Sequence, residues 1–251
     1  MVRLATSRCG GIKTPPGRFK LRQKAGTEMK QPIVMSYSGG KDSSMALYRL
    51  LKSHNWDVKR LLTTANATYN RSSMHGVRTK LFQQQADAIG LPLDVVWLTP
   101  EDGGDGYEQK MKEILGRYQA CGLNHVAFGD LYLEDVRSYR ETMNQTVGVR
   151  SLFPVWGIPT RAFAESIIRV GFKAIVVCVD TTQLDASFCG REFDQAFLNE
   201  LPAGIDWCAE QGEFHTFCYD GPIFSKPVSF QKGGQTLREN RFQYIDLVPD
   251  E

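Results

Sequence analysis

The 251-residue chain lacks any apolar run near the roughly 20 residues that a membrane span requires; its longest, Ala174 to Val179, is far too short. No CxxC pair occurs among its six cysteines, Cys9, Cys121, Cys178, Cys189, Cys208 and Cys218, which excludes a zinc ribbon and a thioredoxin-like redox site. Scattered thiols of this kind fit a reducing compartment, and a cytoplasmic protein is expected. The four histidines, His54, His75, His125 and His215, form no HExxH and share no ligand spacing with the cysteines, so a permanent transition-metal site is not expected. Two nucleotide signatures are also missing: there is neither a GxxxxGKS/T loop nor a GxGxxG turn after a strand.

Acidic residues are scarce at the start. Residues 1–28 hold seven Lys/Arg against one acid, Glu28, so the overall charge of +2 conceals a body of net charge −4. A body of that sign argues against a general nucleic-acid surface, which needs a basic face. Residues 1–28 also carry Gly10-Gly11 and Pro15-Pro16 without apolar periodicity, and read as a disordered or non-native extension; their poverty in acids also permits a transit peptide. The remainder divides at Pro159 into expected domains of residues 29–158 and 159–251. With 42% apolar residues it has enough material for a full core.

What is present from Ile33 onward is an alternation of short β-type runs and helical patterns, which points to a parallel sheet covered by helices. Strands are expected at Ile33–Tyr37, Val58–Thr64, Leu93–Leu98 and Val126–Phe128, with the chain then leading to Ser151–Phe153 without an assigned element. Helices are expected at Asp42–Ser53, Gly76–Ile89, Tyr107–Cys121 and Leu133–Gln145, with Glu101 to Gly106 as an acidic loop. Beyond Pro159, Thr160 reads as the cap of a helix over Arg161–Val170, followed by a strand at Lys173–Val179 and a short helix around Glu192–Leu201. Pro227–Gln231 and Arg241–Val248 flank Gly233-Gly234 as a terminal hairpin.

The segment Ser38-Gly39-Gly40-Lys41-Asp42-Ser43 joins the first strand to its helix. Paired glycines let backbone N–H groups approach an anion, and the helix N-terminus adds unsatisfied donors and a positive dipole end. Ser38 and Ser43 offer hydroxyls and Lys41 a point charge, which together make a phosphate cradle; a side chain at Gly39 would stand where phosphate must approach. An ordinary turn capped by Asp42 or Ser43 uses the same residues. The position at the first crossover of an α/β sheet, where ligands bind, favours the cradle.

SGGKDS resembles the PP-loop of N-type ATP pyrophosphatases, which adenylate a substrate oxygen and release pyrophosphate. With Gly129-Asp130-Leu131, Arg137, Arg140-Glu141, Pro154-Val155-Trp156-Gly157 and Glu210-Gln211-Gly212-Glu213-Phe214-His215-Thr216, the chain is similar from about Lys30 to Phe230 to the diphthine-ammonia ligase family. The last motif reads EQGEFHT where ligases of diphthine typically carry EGGEFET. That variant resembles a mainly bacterial branch for which a role in cobalamin salvage has been suggested.

The resemblance implies an adenine nucleotide α-hydrolase-like domain on a parallel sheet, followed by a smaller C-terminal α/β domain. It further implies Mg-ATP, a carboxylate acceptor on a small molecule or modified protein residue, and ammonia, with a homodimer left open. Ser38 to Ser43, Ala65, His75, Gly129, Asp130, Arg137 and Arg140 are then the nucleotide-side candidates. Asp130 is the candidate magnesium ligand, and Lys41, Asp42, Glu213 and His215 are the catalytic candidates.

Each of these has a plainer reading beside it. Asp130 could cap a turn, Arg137 and Arg140 could pair with Glu134 and Glu141, and His75 could sit at a helix start. Glu210, Glu213 and His215 crowd three titratable groups into six residues, which suits proton handling at an acceptor site but also fits a β-turn. Cys208 carries no sign of a lowered thiol pKa. An RNA-modifying PP-loop enzyme and a non-catalytic nucleotide sensor are the competing functions.

Overall fold

A computed structural model describes residues 30–72 and 75–250, so the expected extension over residues 1–28 lies outside the described residues. The elements are β1 (Gln31–Ser36), α1 (Lys41–Lys52), β2 (Trp56–Asn66), β3 (Arg71–Ser72), α2 (Thr79–Ile89), β4 (Leu93–Leu98), α3 (Gly103–Ala120), β5 (His125–Ala127), α4 (Glu134–Gln145) and β6 (Arg150–Leu152). They continue with α5 (Thr160–Val170), β7 (Lys173–Asp180), a 3₁₀ turn (Ala186–Phe188), α6 (Gln195–Glu200), β8 (Phe214–Asp220), β9 (Phe230–Arg238) and β10 (Phe242–Pro249).

The first sheet has six strands in the path β3-β2-β1-β5-β6, with β4 also on β2; every pairing is parallel except the short β2–β3 ladder. The chain runs from β1 to β2 on one side and returns to β5 on the other. The carboxyl ends of β1 and β5 therefore bound the crevice at which such sheets bind ligands. Alternation along β1 sends Ile33 and Met35 to one face and Val34 to the other. Val34 packs with Leu62, Val96, Met111 and Leu115 under α3, whereas Ile33 and Met35 join a larger core.

That larger core is shared. Residues of α1 and α2, such as Leu47, Leu81 and Phe82, belong to one buried cluster with Ile175, Val177, Phe214 and Phe217 of the second sheet. The second sheet is antiparallel in the order β8-β7-β10-β9, with β8 at one edge.

Several sequence expectations are corrected here. The acidic loop over Glu101 to Gly106 is mostly helix, since α3 starts at Gly103; Asp102 accepts from the Thr99 amide and from Lys110, pinning the first turns to the end of β4. Thr160 is the first helical residue of α5, and Pro159 holds the cap position. The hairpin turn lies at Glu239 and Asn240, both in the left-handed region, and Gly233-Gly234 fall inside β9, an exposed edge strand that tolerates them. Strand β8 was not expected at all.

Candidate nucleotide-binding and active site

Helix α1 begins at Gly40, whose cap position carries no side-chain hydrogen bond. With no cap of its own, the terminus can offer an anion those amides that Thr216, which takes the Lys41 amide, leaves free. The loop ahead of it is braced by short polar contacts. Ser38 Oγ and Ser43 Oγ are 3.0 Å apart, and Ser43 Oγ donates to the Gly40 carbonyl at 3.1 Å.

The glycines serve packing as much as access. Gly39 has φ +75°, and a Cβ there would stand 2.7 Å from Phe82 and 2.8 Å from Gln85. It points into α2, so the expectation that a side chain at Gly39 would block phosphate is replaced by a clash in the core. A Cβ on Gly129 would come within 2.9 Å of the Ser43 nitrogen and 3.0 Å of its Cα. The turn after β5 thus lies directly against the start of α1.

Beside these turns opens a cleft of about 460 Å³, within the range of small-molecule sites. Ser38, Asp42 and Ser43 line it from the loop, Leu62, Thr63 and Thr64 from β2, and Gly129, Asp130 and Arg140 from the far side. Tyr107, Met111 and Phe128 add apolar wall. Arg140 pairs with Asp130 at 2.8 Å and stacks over Phe128.

The most consequential wall residue comes from the second half of the chain. Glu210 enters the cleft and accepts the Leu131 amide through Oε2 at 3.2 Å. Burial, reinforced by the nearby Asp42, pushes its carboxyl up to about 7, against the pull of that amide and of Lys41. A carboxyl poised there can hold or release a proton at neutral pH. Asp42 is raised by burial in spite of Lys41, and its Oδ1 is buried without a partner.

The second sheet also builds the loop itself. The Cys218 amide of β8 donates to the Gly39 carbonyl at 2.8 Å, and Thr216 Oγ1 accepts from the Lys41 amide at 3.1 Å. Gln85 of α2, fully buried, donates through one nitrogen to the carbonyls of both Gly39 and Cys218.

Other candidates are dispersed. Lys41 directs its ammonium toward Cys208 and does not line the cleft. Ala65 is buried in the sheet between Ser72 and Trp97, one residue past those that face the cleft. Arg137 pairs with Glu141 at 2.9 Å and lies over Phe153 and Trp156, outside the residues that line the cleft.

His75 and His215 stack with centroids 5.0 Å apart behind the loop, where His75 would meet any side chain at Gly40. Burial, then Lys41, lowers His215 to about 4; burial, then His215 and Lys41, lowers His75 well below its usual value. The same burial that lowers both imidazoles works against His215 carrying a charge, and the stacked pair packs beside the loop. Glu213 is 2% exposed and accepts the Asp206 amide at 2.9 Å, so it orders the turn that carries Glu210.

Sequence reading passed over Gln85 and Thr216. Gln85 had a signal, because it falls on the same helical face as Leu81, Phe82 and Ile89 and is the polar residue there. Thr216 had none beyond its place at the end of EQGEFHT.

Comparison with known proteins adds the family. Residues 29–151 match the diphthamide synthase N-terminal domain, and residues 159–246 match the diphthamide synthase C-terminal domain. The chain belongs to the diphthamide synthase family. No curated protein matches it. Among solved structures it is similar to a U34-tRNA thiolase, NcsA from Methanococcus maripaludis with its 4Fe-4S cluster, at 16% identity and a TM-score of 0.36. That match covers 58% of this chain and 59% of the thiolase chain. Family membership and the SGGKDS cleft together describe an ATP-utilising PP-loop enzyme. Among the described residues no group of three or more His, Cys, Asp or Glu is arranged to hold a metal, and no helix is long and apolar enough to cross a membrane.

Proposed function

We propose that this diphthamide synthase family member is an ATP-dependent amide-forming ligase, which adenylates a carboxylate of its acceptor and passes the acyl group to ammonia. The observation that carries the reading is the entry of Glu210 into a cleft otherwise built by residues of the first half of the chain.

A carboxylate is a poor electrophile, and its oxygen must become part of a leaving group before nitrogen can displace it. In the first step the acceptor oxygen attacks the α-phosphorus of ATP, the bond to the β-phosphate breaks, and pyrophosphate leaves. In the second, ammonia attacks the acyl carbon, the carbon–oxygen bond to AMP breaks, and the nitrogen sheds a proton. Ser38, Ser43 and the start of α1 bind the pyrophosphate portion, Arg140 balances its charge, and Glu210 takes the proton.

Magnesium on the phosphates would neutralise charge there. Asp42, with an unpartnered buried oxygen, fits that ion, with Asp130 alongside, since Mg²⁺ favours one or two carboxylates plus phosphate oxygens.

The test is chromatography of nucleotide products during turnover with ammonia and a panel of carboxylates. AMP and pyrophosphate are expected; ADP and orthophosphate would overturn the reading. Glu210→Gln is expected to cut acceptor-dependent AMP release by roughly 10²- to 10⁴-fold with ATP still bound. A nucleotide sensor would yield no AMP with any acceptor.

A further inference from the structure

The lysine of SGGKDS is 2% exposed, and its ammonium faces the second sheet. Nζ donates to the Cys208 carbonyl at 2.6 Å and to Asp42 Oδ2 at 2.9 Å, and it lies 5.4 Å from the centre of the Phe193 ring and 5.3 Å from that of Phe214. To reach a phosphate the ammonium would have to abandon a carbonyl, a carboxylate and two aromatic faces, with the carbonyl left buried and unpaired.

What the ammonium holds is a turn with its own internal bonds. Asp206 Oδ1 accepts the amides of Cys208 (2.8 Å) and Glu210 (3.2 Å), and its carbonyl accepts the Ala209 amide at 3.0 Å. Ala209 adopts φ +60°, a conformation that a non-glycine residue keeps only where its surroundings enforce it. Immediately after it Glu210 turns into the cleft. The turn is fastened below by Glu213 on the Asp206 amide and at its middle by Lys41 on the Cys208 carbonyl.

We infer that Lys41 is a positioning residue, which sets Glu210 at the cleft by holding the Cys208 carbonyl two residues earlier, and that it is not a ligand of the nucleotide phosphates. The inference rests on the reading of Glu210 given above. It separates two jobs that lie side by side in the loop sequence: the backbone and hydroxyls bind the anion, and the lysine joins the loop to the half of the molecule that supplies the acid–base group.

Lys41→Met tests it with two measurements that need no turnover. Calorimetry with a non-hydrolysable ATP analogue is expected to give an affinity within about threefold of wild type, whereas loss of a charged phosphate contact would weaken binding by more than about tenfold. Carbon-13 NMR of labelled glutamate carboxyls, with the Glu210 signal assigned through Glu210→Gln, is expected to show Glu210 titrating at higher pH once the nearby cation is gone. A tenfold loss of affinity, or an unchanged Glu210 titration, overturns the inference.

If Lys41→Met does not fold, the wild-type protein decides through the nitrogen-15 signal of its buried lysine ammonium. A signal unmoved by the analogue supports the inference, and one that shifts with coupling to phosphorus overturns it. Wild-type protein that binds no nucleotide would refute the reading of the cleft, while the Glu210 titration still reports on Lys41.

Discussion

Gln85 offers the sharpest test of how the phosphate loop is held. Its side-chain nitrogen donates to the carbonyls of Gly39 and Cys218, and its oxygen is buried without a partner. Facing two acceptors, the amide has its orientation fixed by the network. Gln85→Leu removes two neutral hydrogen bonds of about 1 kcal/mol each but also removes the orphan oxygen, so the net loss is about 1 to 2 kcal/mol. At roughly 2 to 4 °C per kcal/mol for a domain of this size, Tm should fall by roughly 2 to 8 °C.

Gln85→Glu should behave differently. The carboxyl must stay protonated to donate, so its folded pKa rises above the ordinary value near 4.3, and its contribution is kept below that value and lost as pH rises. The penalty grows by about 1.4 kcal/mol per pH unit above about 4.3, until the folded pKa is passed. By pH 7 it reaches roughly 3 to 4 kcal/mol. Scanning calorimetry of the wild type and both variants at pH 5 and pH 8 reads this directly. A gap between wild type and Gln85→Glu that is equal at the two pH values would refute the bonding pattern.

The remaining expectations follow from single contacts. Gly129→Ala places a methyl 2.9 Å from the Ser43 nitrogen, and because the obstacle is backbone the start of α1 must shift; about 1 to 3 kcal/mol of stability and at least tenfold in ATP affinity should be lost, and calorimetry showing wild-type affinity would contradict it. Asp246 bonds both Arg71 and Arg78, and those partners hold its carboxyl far below the usual range. Its contribution is present above about pH 4 and fades as pH falls toward the folded value. With Arg78 42% exposed the effect is only about 1 kcal/mol, so the Tm gap between wild type and Asp246→Asn should be steady above pH 5 and narrow in acid; a gap that widens in acid would contradict the pairing.

The first sheet was legible because its signals are local. A buried run followed by Ser-Gly-Gly and an amphipathic helix describes β1, the loop and α1 within a few residues, and Leu93–Leu98 matches β4 without adjustment. Where the reading failed, the deciding contact lies far away in sequence. Strand β8 gives no alternation, since Phe214, Thr216, Phe217 and Cys218 are all buried, and so it read as a cluster of ionisable residues rather than as a strand. Likewise the expected phosphate contact of Lys41 was drawn from its neighbours in the loop, whereas a partner it holds in the structure, the Cys208 carbonyl, is 167 residues away.

The failure at β8 and the construction of the site have one cause. An edge strand exposes unpaired amides and carbonyls, and proteins must cover or pair them. Here the outer edge of β8 is covered by the phosphate loop, with the Cys218 amide on the Gly39 carbonyl and the Lys41 amide on Thr216 Oγ1. The loop supplies one acceptor, the Gly39 carbonyl, to the strand's backbone and one donor to its Thr216 hydroxyl, and the strand fixes a loop whose own helix has no side-chain cap. Neither half therefore completes the cleft alone. Because the same junction delivers Glu210, the loop and that carboxyl are set by one arrangement of the two sheets, and a change that loosens the junction should disturb both together.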